Sequence, residues 1–515
     1  MLNCGKKSIT SNDLARLLKE RPKPKTREEF VEKLLRPVFD RVVEWAMGDP
    51  ADLLLGEGHY CIEHLAGCWG AGKLAIETSR DYRLWQAQMM FCRGAARQFS
   101  RPWEWYIASF ASGCNATFFA EPHATERYFG PQYGISPSAI RRVTYLTYLS
   151  GANWYEREAM NQTHFLFKTD PPRLSDEGRM YDAFYSFTKR YRRGTVYVPI
   201  ALLVPAFRGY TRHGGRAFEL FDYTRPDYML DAIMSVILDF PNSRCAKDRQ
   251  RSVEVVMANS RYGDMFDVLT PDFPNQDSFR GTIGDYGAAV LVGEYGENAE
   301  MEGILRSYVK AGGTLVLNAK QVTSGFPTSF TGVAVWDGWK DGDRSFSALV
   351  PGAAAVLRRD AVGRATFTVN RFGKGLVIVC AEDWLVPWYG DDGEGQARAL
   401  GDTQIGSPIR YPDIEWLLAW LEDGLLPVRV SGDIQYGINR TPAGWGVYLI
   451  NNKGVRKAWD RPQEVQDGAE TVEIDASAIP HSSAVEHVVG DPVRIDGGVL
   501  RIAVPYGDVR VVEIR

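Results

Sequence analysis

The sequence predicts an α/β multidomain protein with three parts: a (β/α) barrel or partial barrel, a second α/β domain, and a C-terminal antiparallel β-sandwich. Helical and strand patterns alternate through residues 1–195, and apolar strand patterns recur with helices through residues 196–426. From residue 427 to 515 the pattern changes to short alternating strands separated by turns. The length of 515 residues suits this division, since a domain has roughly 100–200 residues.

The first region reads as a series of βα units. An amphipathic helix is predicted over 26–49, because apolar residues recur every three or four positions after a Thr-x-x-Glu start. Short apolar runs predict strands at 51–58, 73–79, 103–110 and 153–160, and helical patterns occupy 82–99, 137–152 and 174–191. A closed eight-stranded barrel takes about 250 residues. About four units therefore indicate a half barrel completed by another chain, strands that the pattern does not reveal, or a reduced barrel, and the first two are favoured.

The second region alternates in the same way. Apolar runs predict strands at 195–205, 252–259, 287–296, 313–320 and 374–383. Helices are predicted at 301–313, where glycines end the pattern, and at 413–426, after a loop rich in Gly and Asp. The strands beyond residue 427 follow one another without helices, which is typical of a sandwich.

Composition argues against several classes of function. The net charge of −4 lacks the basic excess that nucleic-acid binding requires. The N-terminal residues have no apolar signal segment, and no run of about 20 apolar residues predicts a membrane span. The seven cysteines are scattered without metal-ligand spacing, and no phosphate-binding glycine motif or GxSxG elbow occurs. We therefore expect a cytoplasmic protein with reduced thiols, no metal and no cofactor.

Three segments resemble a known family of enzymes. The segment YGAAVLVGEYGENAEMEGILRSYVKAGGTLVLNA (286–319) and the order of the three regions resemble the clan-A glycoside hydrolases of the family 42 β-galactosidase type. GKLAIETSRDYRLWQAQMMFCRGAARQFSRPWEWYIASF (72–110) and SGANWYEREAM (150–160) are similar to late strands of their barrels. The Asn-Glu pair that marks the acid/base strand of the clan is not found in residues 1–195.

The resemblance also implies a role for the middle region. It suggests a flavodoxin-like, amidotransferase-like domain of the trimerising type, and hence a homo-oligomer (a dimer or a trimer). The strand that would carry an amidotransferase nucleophile ends in Asn318-Ala319-Lys320-Gln321, without a cysteine. The domain is therefore expected to be structural.

Four glutamates at strand ends are candidates for catalysis. Glycoside cleavage needs two carboxyl groups, and a (β/α) barrel presents such groups at the carboxyl ends of its strands. Glu77 follows an apolar run directly and is the first candidate, and its partner is Glu57, Glu156 or Glu158. Glu156 and Glu158 lie two residues apart and point the same way on an extended chain. Retention and inversion of configuration both remain open, and a salt bridge is the alternative role for Glu77.

Residues near these glutamates are candidates for binding a sugar. Arg80 would hold a carboxylate in its ionised form, and Glu57 with His59 would bind hydroxyl groups. Trp154 would stack on a sugar ring, and Trp103 with Trp105, which share a face of their strand, would wall the cleft. Glu104 points away from these two rings and is expected to be solvated. For the histidine and the tryptophans, the alternative is a structural role in the core.

The sequence thus favours a glycosidase that acts on an oligosaccharide or glycoside through paired carboxylates. The alternative is a non-catalytic carbohydrate-binding or scaffold subunit, either a degenerate hydrolase or one half of a two-chain enzyme. The short barrel and the missing Asn-Glu pair favour this alternative.

Overall fold

The structure is a computed structural model. It describes residues 24–46, 48–57, 61–78, 85–108, 110–111, 115–116, 135–157, 163–166, 169–209, 216–218, 220–222, 236–237, 257–293, 295–322, 325–341, 344–383, 412–457 and 462–515. Among these residues, no helix combines the length and apolar character needed to cross a bilayer.

The first region is built from helices and parallel strands, as the alternating pattern predicts. Its elements are α1 (Arg27–Phe30), a π-helical turn (Val31–Leu35), α2 (Arg36–Ala46), β1 (Leu54–Glu57), α3 (Ile62–Cys68), β2 (Lys73–Thr78), α4 (Trp85–Gln98), β3 (Trp103–Ile107), β4 (Phe110–Ala111), β5 (Asn115–Ala116), α5 (Pro137–Leu149), β6 (Trp154–Arg157) and α6 (Asp176–Arg190). The predicted Thr start of the first helix is confirmed, because Thr26 accepts a hydrogen bond from Glu29 N (3.1 Å). Ser136 caps α5 in the same way and accepts a hydrogen bond from Ala139 N (3.0 Å).

One parallel sheet organises this region, in the order β1-β2-β3-β6. Within the described residues it has four strands, so a closed barrel is not confirmed. One face of the sheet carries Leu74, Ile76, Trp103, Trp105 and Ile107, which pack with residues of α4 and α5 in a single core cluster. This face is therefore the helix-covered side of the sheet.

The second region contains a mixed sheet. Its elements are β7 (Thr195–Tyr197), β8 (Ile200–Leu203), β9 (Arg216–Ala217), β10 (Phe221–Asp222), β11 (Phe266–Leu269), α7 (Asp277–Thr282), β12 (Ala288–Leu291), α8 (Ala299–Ala311), β13 (Thr314–Asn318), α9 (Thr328–Thr331), β14 (Val333–Asp341), β15 (Arg344–Pro351), β16 (Ala355–Arg359), β17 (Ala365–Phe372), β18 (Gly375–Cys380) and α10 (Pro412–Leu425). Five strands run parallel in the order β11-β8-β12-β13-β18, and β17 and β16 extend the sheet antiparallel. Numbered along the chain, the parallel order is 2-1-3-4-5, the flavodoxin-like order.

Two details of this region differ from the sequence prediction, and one predicted strand is largely untested. The predicted strand 195–205 is two strands in different sheets: β7 belongs to a sheet of the sandwich, and β8 belongs to the mixed sheet. The strand β11 and the four strands β14 to β17 are not predicted. The predicted strand 252–259 falls largely outside the described residues, which resume at Met257.

The C-terminal region is an antiparallel sandwich, as predicted. Its strands are β19 (Arg429–Ser431), β20 (Gln435–Thr441), β21 (Gly444–Ile450), β22 (Val455–Arg456), β23 (Glu464–Val465), β24 (Ala469–Asp475), β25 (Ala484–Glu486), β26 (Pro492–Val493), β27 (Val499–Pro505) and β28 (Val509–Ile514). One sheet has the order β26-β25-β28-β21-β20-β7, and the other has the order β19-β24-β27. Apolar residues of both sheets share a core cluster with residues of β8, β11 and β12. The exact boundaries of the three predicted domains stay a prediction.

A buried ionic network joins the first region to the second. Arg93 of α4 donates to Asp267 Oδ1 (2.6 Å), to both carboxylate oxygens of Asp264 (2.9 and 3.1 Å) and to the Phe266 carbonyl (2.9 Å). The side chains of Arg93, Asp264 and Asp267 are all at most 2% exposed. Every donor and acceptor of this network is thus removed from water and depends on its partners.

The same network reaches the sandwich. The Tyr448 hydroxyl of β21 donates to Asp264 Oδ2 (2.6 Å), and the Tyr286 hydroxyl donates to Asp267 Oδ2 (2.9 Å). Arg97, one turn after Arg93, adds a further bond to Asp267 Oδ2 (2.8 Å). All three regions therefore contribute side chains to one buried cluster.

A carboxyl group on α10 makes stability depend on pH. Glu422 is partly buried, and the Tyr436 hydroxyl of β20 donates to its Oε1 (3.3 Å). Burial raises the pKa of Glu422 to about 8, although Tyr436 and Arg261 act to lower it. The ordinary value is 4.5, so the folded chain holds a proton here that the unfolded chain has lost between about pH 4.5 and 8. Stability must therefore fall as the pH rises through this window.

Glu422→Gln is expected to remove this pH-dependent loss. At pH 8 the variant should be more stable than the wild type by on the order of 1–3 kcal/mol, with a much smaller difference at pH 5. Urea unfolding of both proteins at the two pH values measures the effect. Glu473→Gln, at an exposed ion pair with Arg501, is the control. Equal stabilisation of the Glu422 variant at both pH values would contradict the expectation.

Candidate active site

The face of the parallel sheet opposite the helices is polar. It carries Lys73, Ala75 and Glu77 of β2, Glu104 and Tyr106 of β3, and Trp154 and Glu156 of β6, and we call it the polar face. Side chains two residues apart on a strand point to the same face, and so do residues in register on neighbouring strands. These residues meet one or the other condition, so they share one face. Several of them reach solvent: Lys73 and Glu156 are exposed, and Trp154 is 47% exposed.

Two rows of side chains cross the polar face. Glu77, Tyr106 and Glu156 are in register near the carboxyl ends of their strands, and Ala75, Glu104 and Trp154 form the row before them. Neighbouring strands lie about 4.8 Å apart, so the Cα atoms of Glu77 and Glu156 are roughly 10 Å apart with one strand between them. Glu104 sits on that middle strand, diagonally next to both. Three carboxyl groups therefore converge on one small area.

The environment of Glu104 differs from that of a solvated carboxylate. Burial raises the pKa of Glu104, the negative charge of Glu156 raises it further, and Lys73 acts to lower it. The Lys73 ammonium lies 4.8 Å from the centre of the Trp154 ring, a cation–π contact that spans the middle strand. The face thus combines a carboxyl group that favours its protonated form, further carboxylates and an exposed aromatic ring.

Three of the predicted site residues come together on this face. Glu77 is partly buried there, Glu156 is exposed, and Trp154 lies in the row next to Glu156. The alternation along β6 thus places Trp154 and Glu156 on the same side, as predicted. Whether these residues act on a substrate stays a prediction.

The prediction that Trp103 and Trp105 wall a cleft is wrong. Their side chains are 4% and 0% exposed, and they belong to the core beneath α4 and α5. The Trp105 indole donates to Thr78 Oγ1 (3.1 Å), which satisfies its polar atom inside the core. The two rings contribute apolar burial and cannot reach a sugar on the opposite face.

Glu104 is the residue that the sequence prediction missed. It was expected to be solvated and away from the site because it alternates with the two tryptophans. The alternation is correct, but the tryptophans face the helices, so the opposite side is the one with the carboxylates. The signal was present in the sequence Trp-Glu-Trp, since large apolar rings at alternate positions indicate the covered face.

The remaining predicted residues are only partly described or undescribed. The backbone of Glu57 in β1 pairs in register with Ile76 in β2. The side chain of Glu57 lies outside the described residues. His59, Arg80 and Glu158 also lie outside the described residues. Their predicted roles stay predictions. In the part of the chain that is described, no three His, Cys, Asp or Glu residues are grouped as metal ligands.

A second ionic cluster lies on the covered side of β6. Arg157 is buried and donates to Glu177 Oε1 of α6 (3.0 Å), and the His164 ring packs against the tilted ring of Tyr181 at 4.2 Å between ring centres. Although burial acts to raise the pKa of Glu177, the charge of Arg157 and the contact with His164 hold it below its usual value. The cluster fastens α6 to the last strand of the sheet and does not open onto the polar face.

Aromatic side chains cluster just after β8 and β11 of the flavodoxin-like sheet. Such sheets bind ligands at the carboxyl ends of the strands where the order reverses, here between β8 and β12. Beyond β8, Phe207 and Phe218 belong to a cluster with Phe273 and with Phe30 of α1.

No protein-family model matches the sequence, and no curated protein is similar to it in sequence. Solved structures with a similar fold include the β-galactosidase of Bacillus circulans sp. alkalophilus, at 11% identity and a TM-score of 0.53, covering 95% of this chain and 67% of that one. The α-L-fucosidase isoenzyme 2 of Paenibacillus thiaminolyticus matches at 11% identity and a TM-score of 0.51, covering 99% of this chain and 76% of that one. A family 42 β-galactosidase of G. stearothermophilus matches at 11% identity and a TM-score of 0.48, covering 89% of this chain and 61% of that one.

The chain shares the fold of these glycoside hydrolases. The resemblance found in the sequence is thus confirmed at the level of the fold. The chain spans about two thirds to three quarters of the length of the two structures that match above a TM-score of 0.5.

Proposed function

We propose that the protein hydrolyses glycosidic bonds with carboxyl groups of the polar face. The observation that carries this proposal is the convergence of Glu77, Glu104 and Glu156 beside the exposed Trp154. Hydrolysis of a glycoside requires one carboxyl group that gives a proton and another that acts as base or nucleophile. An aromatic ring next to them offers an apolar surface with room for a sugar ring.

Glu77 and Glu156 border the site on its two sides. They occupy the same row near the carboxyl ends of parallel strands, where enzymes with (β/α) units place their reactive groups. Their Cα atoms are roughly 10 Å apart, and each side chain can lean toward the strand between them. The distance between these two strands leaves room for a glycosidic bond above Tyr106, which lies on the strand between them.

The test is turnover of a broad panel of aryl glycosides and oligosaccharides by the purified protein. Glu156→Gln is expected to lower kcat/KM by about 10²–10⁴-fold, the usual contribution of acid–base catalysis. Glu77→Gln is expected to lower kcat/KM as well, because its carboxyl group borders the site. Circular dichroism verifies that each variant folds. Glu473→Gln on the sandwich is the matched control and should keep full activity. Turnover that survives both substitutions would contradict the proposed site.

A second candidate function is favoured by the exposure of the polar face. Parallel sheets are normally covered on both sides, yet among the described residues Leu54 and Trp154, on the two outermost strands, are 41% and 47% exposed. The chain would then be a carbohydrate-binding or scaffold subunit, or one half of a two-chain enzyme whose other chain supplies further βα units. Sugar binding by calorimetry without any turnover distinguishes this function from the first. Assembly through the middle region into a homo-oligomer is compatible with either function.

A further inference from the structure

The three carboxyl groups of the polar face are not equivalent. Glu156 is exposed at one side of the cluster, and Glu77 is partly buried at the other. Glu104 lies on the middle strand, flanked in its own row by Ala75 and Trp154. Its carboxyl group therefore lies between a small side chain and a large apolar ring, with a carboxylate diagonally on each side.

This position favours the protonated form of the Glu104 carboxyl group. Water solvates a carboxylate less well beside an indole ring, and a neighbouring negative charge disfavours a second one. Of the described residues, the titratable groups on the same face as Glu104 are Lys73 and Glu77 on β2, Tyr106 on β3 and Glu156 on β6. The one cation among them, Lys73, has its ammonium over the Trp154 ring. Burial and the negative charge of Glu156 favour the protonated form of Glu104, and Lys73 acts against them.

We propose that Glu104 is the proton donor of this site and that Glu156 is its ionised partner. This assignment rests on the proposed function. In the reaction, the Glu104 carboxyl gives its proton to the glycosidic oxygen while the bond from that oxygen to the anomeric carbon breaks, and the electron pair of the bond stays on the departing oxygen. Glu156 takes a proton from a water molecule as the water oxygen bonds to the anomeric carbon. One water is consumed, and both carboxyl groups return to their starting states through proton exchange with solvent.

Lys73 and Trp154 are assigned a positioning role. The ammonium lies against the ring that borders Glu104, so it fixes the ring and limits how far the Glu104 pKa rises. Lys73→Met keeps the length of the side chain and removes the charge. We expect it to raise the Glu104 pKa and to shift the pH profile of turnover toward higher pH without abolishing turnover.

The first experiment measures the proton on Glu104 directly and does not depend on activity. Infrared difference spectra across a pH titration compare the wild type with Glu104→Gln, and the carboxyl signal that is lost in the variant reports the Glu104 pKa. We expect this pKa to lie above the ordinary value of 4.5, to fall in Glu156→Gln and to rise in Lys73→Met. A Glu104 pKa at or below 4.5 that neither substitution moves would overturn the assignment.

The second experiment uses the leaving group to separate a proton donor from a structural residue. A sugar with a poor leaving group needs the proton, whereas an activated aryl leaving group departs almost without it. Glu104→Gln should therefore lose about 10²–10⁴-fold in kcat/KM on poor leaving groups and far less on activated ones, whereas Glu156→Gln should lose activity on both. Equal losses for Glu104→Gln on both substrate types would overturn its role as donor.

The two proposals fail in different ways. A wild-type protein that turns over no glycoside overturns the proposed function and with it the reaction assigned to Glu104. A wild-type protein that is active, and whose Glu104→Gln variant is equally active on poor leaving groups, overturns the assignment of Glu104 alone.

Discussion

Gly94→Ala is expected to lower the free energy of unfolding by about 3 kcal/mol, a large loss for one added methyl group. Gly94 lies in α4 where this helix crosses β11, and a Cβ atom at this position would be 1.9 Å from the Val268 carbonyl oxygen and 2.8 Å from the carbonyl carbon. Both are backbone atoms of a buried strand and cannot turn away as a side chain would. The helix must therefore move away from the sheet. This movement also displaces Arg93, the preceding residue, from its partners in the buried ionic network.

The matched control is another glycine inside a helix. At Gly303 in α8, an added Cβ atom would meet nothing within 4 Å. Gly303→Ala should raise the free energy of unfolding by about 1 kcal/mol, the difference in helix propensity between the two residues. Urea unfolding of the two variants beside the wild type measures opposite shifts. A Gly94 variant that matches the wild type would show that α4 and β11 are not in such close contact.

Arg93→Met is expected to cost about 3–5 kcal/mol, because it leaves Asp264 and Asp267 as buried carboxylates without their principal cation. Methionine fills much of the same volume, so the loss of packing is small and the loss of charge dominates. Asp264 would retain the Tyr448 hydroxyl, and Asp267 would retain Arg97 and Tyr286. Thermal unfolding followed by circular dichroism measures the loss.

Two further variants show that the cost arises from unpaired charge. Adding Asp264→Asn to Arg93→Met removes one of the two stranded carboxylates, so the double variant should be more stable than Arg93→Met alone. Arg494→Met breaks an ion pair with Asp496 in which the arginine is 85% exposed, and it should change stability by less than about 1 kcal/mol. If the Arg93 and Arg494 variants were equally stable, the buried network would contribute no more than a surface pair.

Apolar periodicity was sufficient to predict most of the architecture. Runs such as KLAIETS and GTLVLNAK became β2 and β13, because a strand that is buried in a parallel sheet must be apolar over several residues. The strands β14 and β15 were not predicted because they alternate weakly, with charged and small residues on a partly exposed hairpin. The strand β11 was not predicted because Asp267 interrupts its apolar run. Neither kind of strand differs clearly from a loop in a single sequence.

The candidate site was predicted in type and position more than in detail. Strand-end glutamates were recognisable because a carboxylate directly after a buried run has to emerge at the edge of the sheet. The two faces of β3 were misassigned, so Trp103 and Trp105 were placed in a cleft and Glu104 in the solvent, although alternate large rings indicate the covered face. That face is covered because it packs against α4 and α5, the helices that flank β3 in the chain.

The passage from β7 to β8 limits how the chain can be divided. Only Val198 and Pro199 separate β7 from β8. The strand β7 pairs with β20 of the sandwich, whereas β8 lies inside the parallel sheet between β11 and β12. A fragment that starts at residue 427 would leave the β20 edge without its neighbour and with unpaired backbone groups, a surface prone to self-association. A fragment that ends before residue 427 would carry β7 with nothing to pair with. Truncations meant to isolate either part should therefore be made as two chains that are expressed together and purified as one complex.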